Sequence, residues 1–264
     1  MKPLKKILSS ILAAAMVVGL FSFENNATIY AEEDPYVELT NTLTAQDTFA
    51  WTEYDHDNFK DTYAPSIPDH IIYDGNNIKM VGYGYSKYKD FLLVNDIENK
   101  NSKKTFTFNI QRDGTDWHSM EGGGFLFNAS VKNDTLSGFC ILVTQEGLKL
   151  IQINNTNVNS FRNGGKEYVE NFGKRLATYP LSNLYGEHTF KIEVNNTSVS
   201  VWDGDSIIID NYSLPDNDYG YGYGPITSHI SHGCSQQSYF TFADIVMEEV
   251  IIHYIPKKPV ELAY

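Results

Sequence analysis

Basic residues and cysteine are both scarce in this chain. Its 264 residues hold 20 Lys and Arg against 33 Asp and Glu, a formal charge of −13. Nucleic acid is therefore excluded as a partner, because phosphate binding needs clustered cations. Two cysteines, Cys140 and Cys234, supply neither the four ligands of a structural zinc nor a disulfide framework. There is no glycine-rich phosphate loop, serine elbow or Cys/His nucleophile arrangement, so nucleotides and acyl transfer find no support. Apolar residues do not recur at three and four positions beyond the first 31 residues, so no long helix is expected there.

Aromatic and apolar residues are plentiful. Eighteen Tyr and 15 Phe in a chain that is 42% hydrophobic are too many for disorder and point to a β-rich globule. Lys2, Lys5 and Lys6 precede an uncharged apolar run from Ile7 to Phe23, and Ala31 precedes Glu32 and Glu33. That order reads as a secretory signal peptide over residues 1–31, with an uncleaved anchor as the alternative. Cleavage after Ala31 leaves 233 residues and removes three lysines and one glutamate. The expected location is secreted or extracellular, in association with a cell surface. No later run is apolar enough to span a bilayer, so the cleaved chain is not expected to be an integral membrane protein.

Oxidation is allowed in that compartment, and a Cys140–Cys234 bridge would be worth about 4–5 kcal/mol in the chain-entropy model. Cys140 lies in the apolar stretch Gly138–Val143, where it reads equally well as a small buried hydrophobe. The sequons at Asn128, Asn133, Asn154, Asn195 and Asn211 matter only in a source that glycosylates.

Period-two alternation defines the strands. Lys104–Gln111 places Phe106, Phe108 and Ile110 on one face and Thr105, Thr107 and Asn109 on the other. Gly122–Val131, Gly138–Thr144 and Leu148–Ile153, separated by Lys132–Thr135 and Gln145–Gly147, form an expected antiparallel meander. Thr189–Val194, Ser198–Trp202 and Ser206–Asp210 form a second, turning at Asn195–Asn196 and Asp203–Gly204. Tyr239–Met247 changes apolar parity near Asp244, which predicts a bulge. Further strands are expected at Thr48–Thr52, Asp69–Tyr73 and Phe91–Val94. About a dozen short strands without an internal linker give one all-β domain over residues 32–254, two packed antiparallel sheets. Residues 255–264, with their Pro and Lys, read as a linker-like tail, as in a chain whose longer relatives continue into another domain.

Several of these stretches together resemble the concanavalin A-like lectin/glucanase superfamily, most of all the laminin-G-like sandwich domains of Gram-positive surface and secreted proteins. They are Asp116–Asn128, Gly138–Val143 with Gly147–Leu150, His188–Val194 with Val199–Gly204, and Tyr239–Ile245. The resemblance covers about half the chain and rests on strand patterns. It implies a jelly-roll sandwich whose loops or concave face bind glycans or proteins, often near a calcium ion.

Four segments are candidates for chemistry. Pro215–Pro225 offers Tyr219, Tyr221 and Tyr223 spaced by glycines; sugars stack on such rings through their C–H faces while phenol tips hydrogen-bond. Asp216, Asn217 and Asp218, just before them, carry the hard oxygen atoms that calcium takes. Asp116, His118 and Glu121 crowd the start of the Gly122–Gly124 strand, where carboxylate and imidazole suit hydroxyl groups or a metal and glycine permits close approach of another backbone or a ligand. Ordinary turn polarity and a Gly-rich rim loop are the plain alternatives at these places.

Glu53, Asp55 and Asp57 alternate as the carboxylates of retaining glucanases do, though Tyr54 and His56 stand where those enzymes place apolar residues. His229, His232 and Cys234 lack a fourth metal ligand. The resulting expectation is a secreted lectin-like binding or adhesion module for extracellular glycans or surface proteins. A glycoside hydrolase of the same superfamily and a structural spacer domain stay open as alternatives.

Overall fold

The structure, a computed structural model, describes residues 34–44, 51–54, 71–83, 89–94, 102–113, 122–158, 173–184, 186–216, 219–228 and 237–255. Among the described residues there are fifteen strands. They are β1 (Asp34–Thr44), β2 (Thr52–Tyr54), β3 (Ile71–Asp74), β4 (Asn77–Tyr83), β5 (Lys89–Leu93), β6 (Ser102–Asp113), β7 (Gly122–Lys132) and β8 (Thr135–Thr144). They continue with β9 (Gly147–Asn157), β10 (Gly173–Tyr179), β11 (His188–Val194), β12 (Ser198–Asp203), β13 (Ser206–Ser213), β14 (Gly222–Ser228) and β15 (Gln237–Ile255). No described helix is long and apolar enough to cross a membrane.

Two sheets result. The first runs β13-β12-β11-β6-β15-β4-β3, with β1 also paired to β15; the second runs β10-β9-β8-β7-β14-β5-β2. Among the described residues the strand registers are antiparallel, for example Phe190 opposite Phe108 and Phe125 opposite Ile141. Contacts separate a unit over Tyr36–His253, which carries the sandwich, from a smaller one made of residues 1–35 and 254–264.

Local chemistry explains the turns. The β7–β8 hairpin turns on Asn133 and Asp134, whose φ values of 50° and 58° fit a two-residue turn matched to strand twist. At the β11–β12 turn, Asn195 Oδ1 accepts hydrogen bonds from the backbone N–H groups of Thr197 (2.8 Å) and Ser198 (2.7 Å). The expected bulge in β15 is present: Asp244 has φ 50° and the register with β6 shifts between Ala243 and Val246.

The core lies between the sheets. Phe106, Phe108, Ile110, Phe190, Ile192, Val199, Val201 and Phe242 from the first sheet meet Phe125, Phe127, Phe139, Ile141, Leu148 and Leu150 from the second. Phe108 stacks on Phe125 with centroids 4.8 Å apart. The first sheet obeys one-sided alternation, with Thr105, Thr107 and Asn109 half-buried on its outer face.

The second sheet does not, because its other face holds a separate buried cluster that includes Leu126, Cys140, Leu142, Ile151, Ile153 and Ile226. Burial on both faces makes β7, β8 and β9 read as near-continuous apolar runs. Cys140 belongs to that second cluster, fully buried; Cys234 lies outside the described residues.

One expectation is corrected. The end of the Gly-rich segment Pro215–Pro225 is not loop: from Gly222 it is β14, paired to β7 on one side and β5 on the other. The glycines that read as loop punctuation face neighbouring backbone; a Cβ on Gly224 would lie 2.0 Å from the Leu92 carbonyl oxygen. The close approach expected over the Gly122–Gly124 run is made by the protein itself. A Cβ on Gly123 would lie 2.3 Å from the Phe240 ring, and one on Gly124 1.7 Å from the Ile141 carbonyl oxygen.

Candidate functional site

The tyrosine segment sits where the polypeptide enters β14, at the end of the sandwich that carries the β11–β12 turn. Asn128 of β7 marks that end, its Nδ2 donating to the Asn195 carbonyl at 2.8 Å. Three strands hold the segment. Ser130 Oγ of β7 donates to the Tyr219 carbonyl, and Gln152 Nε2 of β9 donates to the Tyr219 phenol oxygen at 3.0 Å. Lys104 of β6 reaches across from the other sheet, its Nζ 3.5 Å from the Tyr221 carbonyl. The Tyr219 ring also packs on Phe139, with centroids 5.7 Å apart.

The three tyrosines are not equivalent. Tyr219 and Tyr221 are half-buried, whereas Tyr223 is 2% exposed and belongs to the core. The Tyr223 ring packs on Phe106 at 4.8 Å and edge-on to Trp51 at 6.4 Å. Tyr223 therefore fills the sandwich interior, and the reading of its ring as a stacking surface for a sugar is corrected at this position. The residue lies inward because β14 is a strand and its side chains alternate.

Below the rim lie two charged residues that the sequence reading passed over. Lys104 is 3% exposed, and its ammonium is 3.7 Å from Glu249 Oε1, the residue directly opposite on β15. The same ammonium lies 5.6 Å from the Tyr221 ring centroid and 5.9 Å from that of Tyr223, within cation–π range. The signal for Lys104 was available: it shares the parity of Phe106, Phe108 and Ile110 on an alternating strand.

Of the calcium triad, Asp216 is exposed, and Asn217 and Asp218 lie outside the described residues. Among the described residues no group of three His, Cys, Asp or Glu gathers to hold a metal. Asp116, His118 and Glu121 lie outside the described residues, as do Asp55, Asp57, His229 and His232. Glu53 is described and exposed; its carboxylate accepts a hydrogen bond from the Tyr73 hydroxyl at 2.6 Å. Of the sequons, Asn128 is buried, and Asn133, Asn154, Asn195 and Asn211 are exposed.

No protein-family model matches the chain, and no curated protein matches it either. Solved structures do. The carbohydrate recognition domain of Emp47p aligns at 11% identity with a TM-score of 0.51, covering 86% of this chain and 99% of that one. The architecture is a two-sheet antiparallel jelly-roll sandwich. The CBM2 module of the evolved Dit from Lactobacillus casei BL23 phage J-1 aligns at 12% identity with a TM-score of 0.47, covering 84% of this chain and 99% of that one. A sialidase aligns at 6% identity with a TM-score of 0.41, covering 67% of this chain but only 16% of its own. In this jelly roll, the rim at Tyr219 and Tyr221 joins the two sheets through side chains from β6, β7 and β9.

Proposed function

We propose that the chain is an exported, lectin-like binding module that captures extracellular glycans on the Tyr219–Tyr221 rim. The observation that carries this reading is the fixation of two half-buried tyrosines at one end of the sandwich by Ser130, Gln152 and Lys104. Phenol rings offer C–H stacking and a polar tip together, which suits the alternating faces of a sugar. Rings held in place before binding lose little conformational entropy on contact. The fold likeness to a carbohydrate recognition domain supports the same reading. Calcium held by Asp216, Asn217 and Asp218, which precede Tyr219 in sequence, is part of the proposal.

The test is an array of immobilised glycans probed with the full chain, with calcium and with chelator, beside an assay for released reducing ends. Glycan capture without sugar release is expected. Capture of a surface protein with no glycan bound would move the function to protein adhesion. Sugar release lost on Glu53→Gln would move it to the hydrolase.

A further inference from the structure

We propose that Lys104 is the positioning residue of the rim, and that the glycan it serves is uncharged. The inference rests on the binding reading above and assigns a role to a buried ion pair which that reading does not itself require.

Lysine is rarely buried; its stem packs while its head stays in water. Here the whole side chain faces inward with Phe106, Phe108 and Ile110, leaving residue 104 only 3% exposed. An ammonium in such a place needs partners, and those described fall into two kinds. One is Glu249, opposite on β15, which balances the charge at 3.7 Å. The others belong to the tyrosine segment: the Tyr221 carbonyl at 3.5 Å and the rings of Tyr221 and Tyr223 at 5.6 and 5.9 Å.

A pair of well-packed apolar residues in place of a buried ion pair is often as stable or more so. Filling space therefore does not require Lys104. What an apolar side chain would not do is hold the Tyr221 backbone and ring from the opposite sheet. Ser130 and Gln152 fix Tyr219, and Gly222 is paired to Ala129; between them Lys104 reaches the Tyr221 carbonyl from the opposite sheet.

The charge balance bears on the ligand. Lys104 and Glu249 cancel, Asp216 is exposed nearby in sequence, and the chain carries a net −13. The pair adds no net charge at the rim and the chain as a whole is anionic, so an anionic glycan would meet long-range repulsion, whereas a neutral one meets rings and hydrogen-bonding groups.

The decisive variant is Lys104→Met/Glu249→Leu, which removes the pair without leaving one charge buried. Its melting temperature is expected to match or exceed that of the wild type. Amide hydrogen exchange at residues 219–222 is expected to rise about tenfold while the β6 and β15 amides keep their protection. Affinity for neutral glycans on the array is expected to fall about tenfold or more. Unchanged exchange at residues 219–222, or affinity within about twofold of wild type, overturns the positioning role. Capture of sulfated or uronic-acid glycans in preference to neutral ones overturns the ligand class. A wild-type chain that captures no glycan sinks the functional reading and the ligand class together, while the exchange measurement still decides the role of Lys104.

Discussion

His188 and Asp203 face each other inside the sandwich, the imidazole Nδ1 2.7 Å from a carboxylate oxygen of Asp203. This pair joins β11 to the end of β12, and His188 is only 4% exposed. The ring also stacks on Phe190, with centroids 5.5 Å apart. The imidazole Nε2 is buried without a hydrogen-bond partner among the described residues, so the Asp203 bond carries most of its polar satisfaction. Asp203→Ala would leave both ring nitrogens buried and is expected to destabilise the fold by about 2 kcal/mol. His188→Leu/Asp203→Leu should recover much of that loss, and urea denaturation of the three proteins checks both.

Glycine substitutions should separate sharply. Gly124→Ala puts a methyl carbon 1.7 Å from the Ile141 carbonyl oxygen, and that backbone is fixed by sheet pairing. The expected loss is about 3 kcal/mol or more. Gly204→Ala meets no atom within 4 Å and suffers only from its φ of +55°, for about 1 kcal/mol. Equal urea midpoints for the two variants would show that β7 and β8 are not packed as described.

Much of the fold was legible because the first sheet is wet on one side. Phe106, Phe108 and Ile110 alternate with Thr105, Thr107 and Asn109, so parity gave the strand and its buried face. The Asp244 bulge followed from the same parity. Tyr223 was misread because Gly222 and Gly224 look like loop residues when nothing reveals the backbones of Ala129 and Leu92 beside them. The support for Tyr221 was missed for the opposite reason: Lys104 has inward parity, but lysine is habitually assigned to solvent, and its partner Glu249 is 145 positions away. The second buried cluster, with Leu126 and Cys140, shows in sequence only as strands lacking polar alternation.

Acid should weaken the first sheet through Glu193. Partial burial pushes its carboxyl up, but hydrogen bonds from Lys103 and Lys191, with their charges, outweigh this and hold it below its ordinary value. A depressed carboxyl contributes stability that is complete above the unfolded pKa and is lost as pH falls through the lower folded value. The drop in urea midpoint between pH 7 and about pH 3 should therefore be smaller in Glu193→Gln than in wild type. An identical drop in both would mean that the two lysines do not act on this carboxylate in solution.

Tyr221 and Tyr223, two positions apart, should behave as different kinds of residue. Tyr223→Ala opens a cavity between Phe106 and Trp51 and is expected to destabilise the chain by about 3–5 kcal/mol. Tyr221→Ala removes a half-buried ring and should leave the melting temperature within a few degrees of wild type.

Glycan-array binding by Tyr221→Ala, measured beside its thermal stability, tests the central claim most directly. The account predicts a folded protein that has lost glycan capture; a folded protein that captures glycans as well as wild type would contradict it.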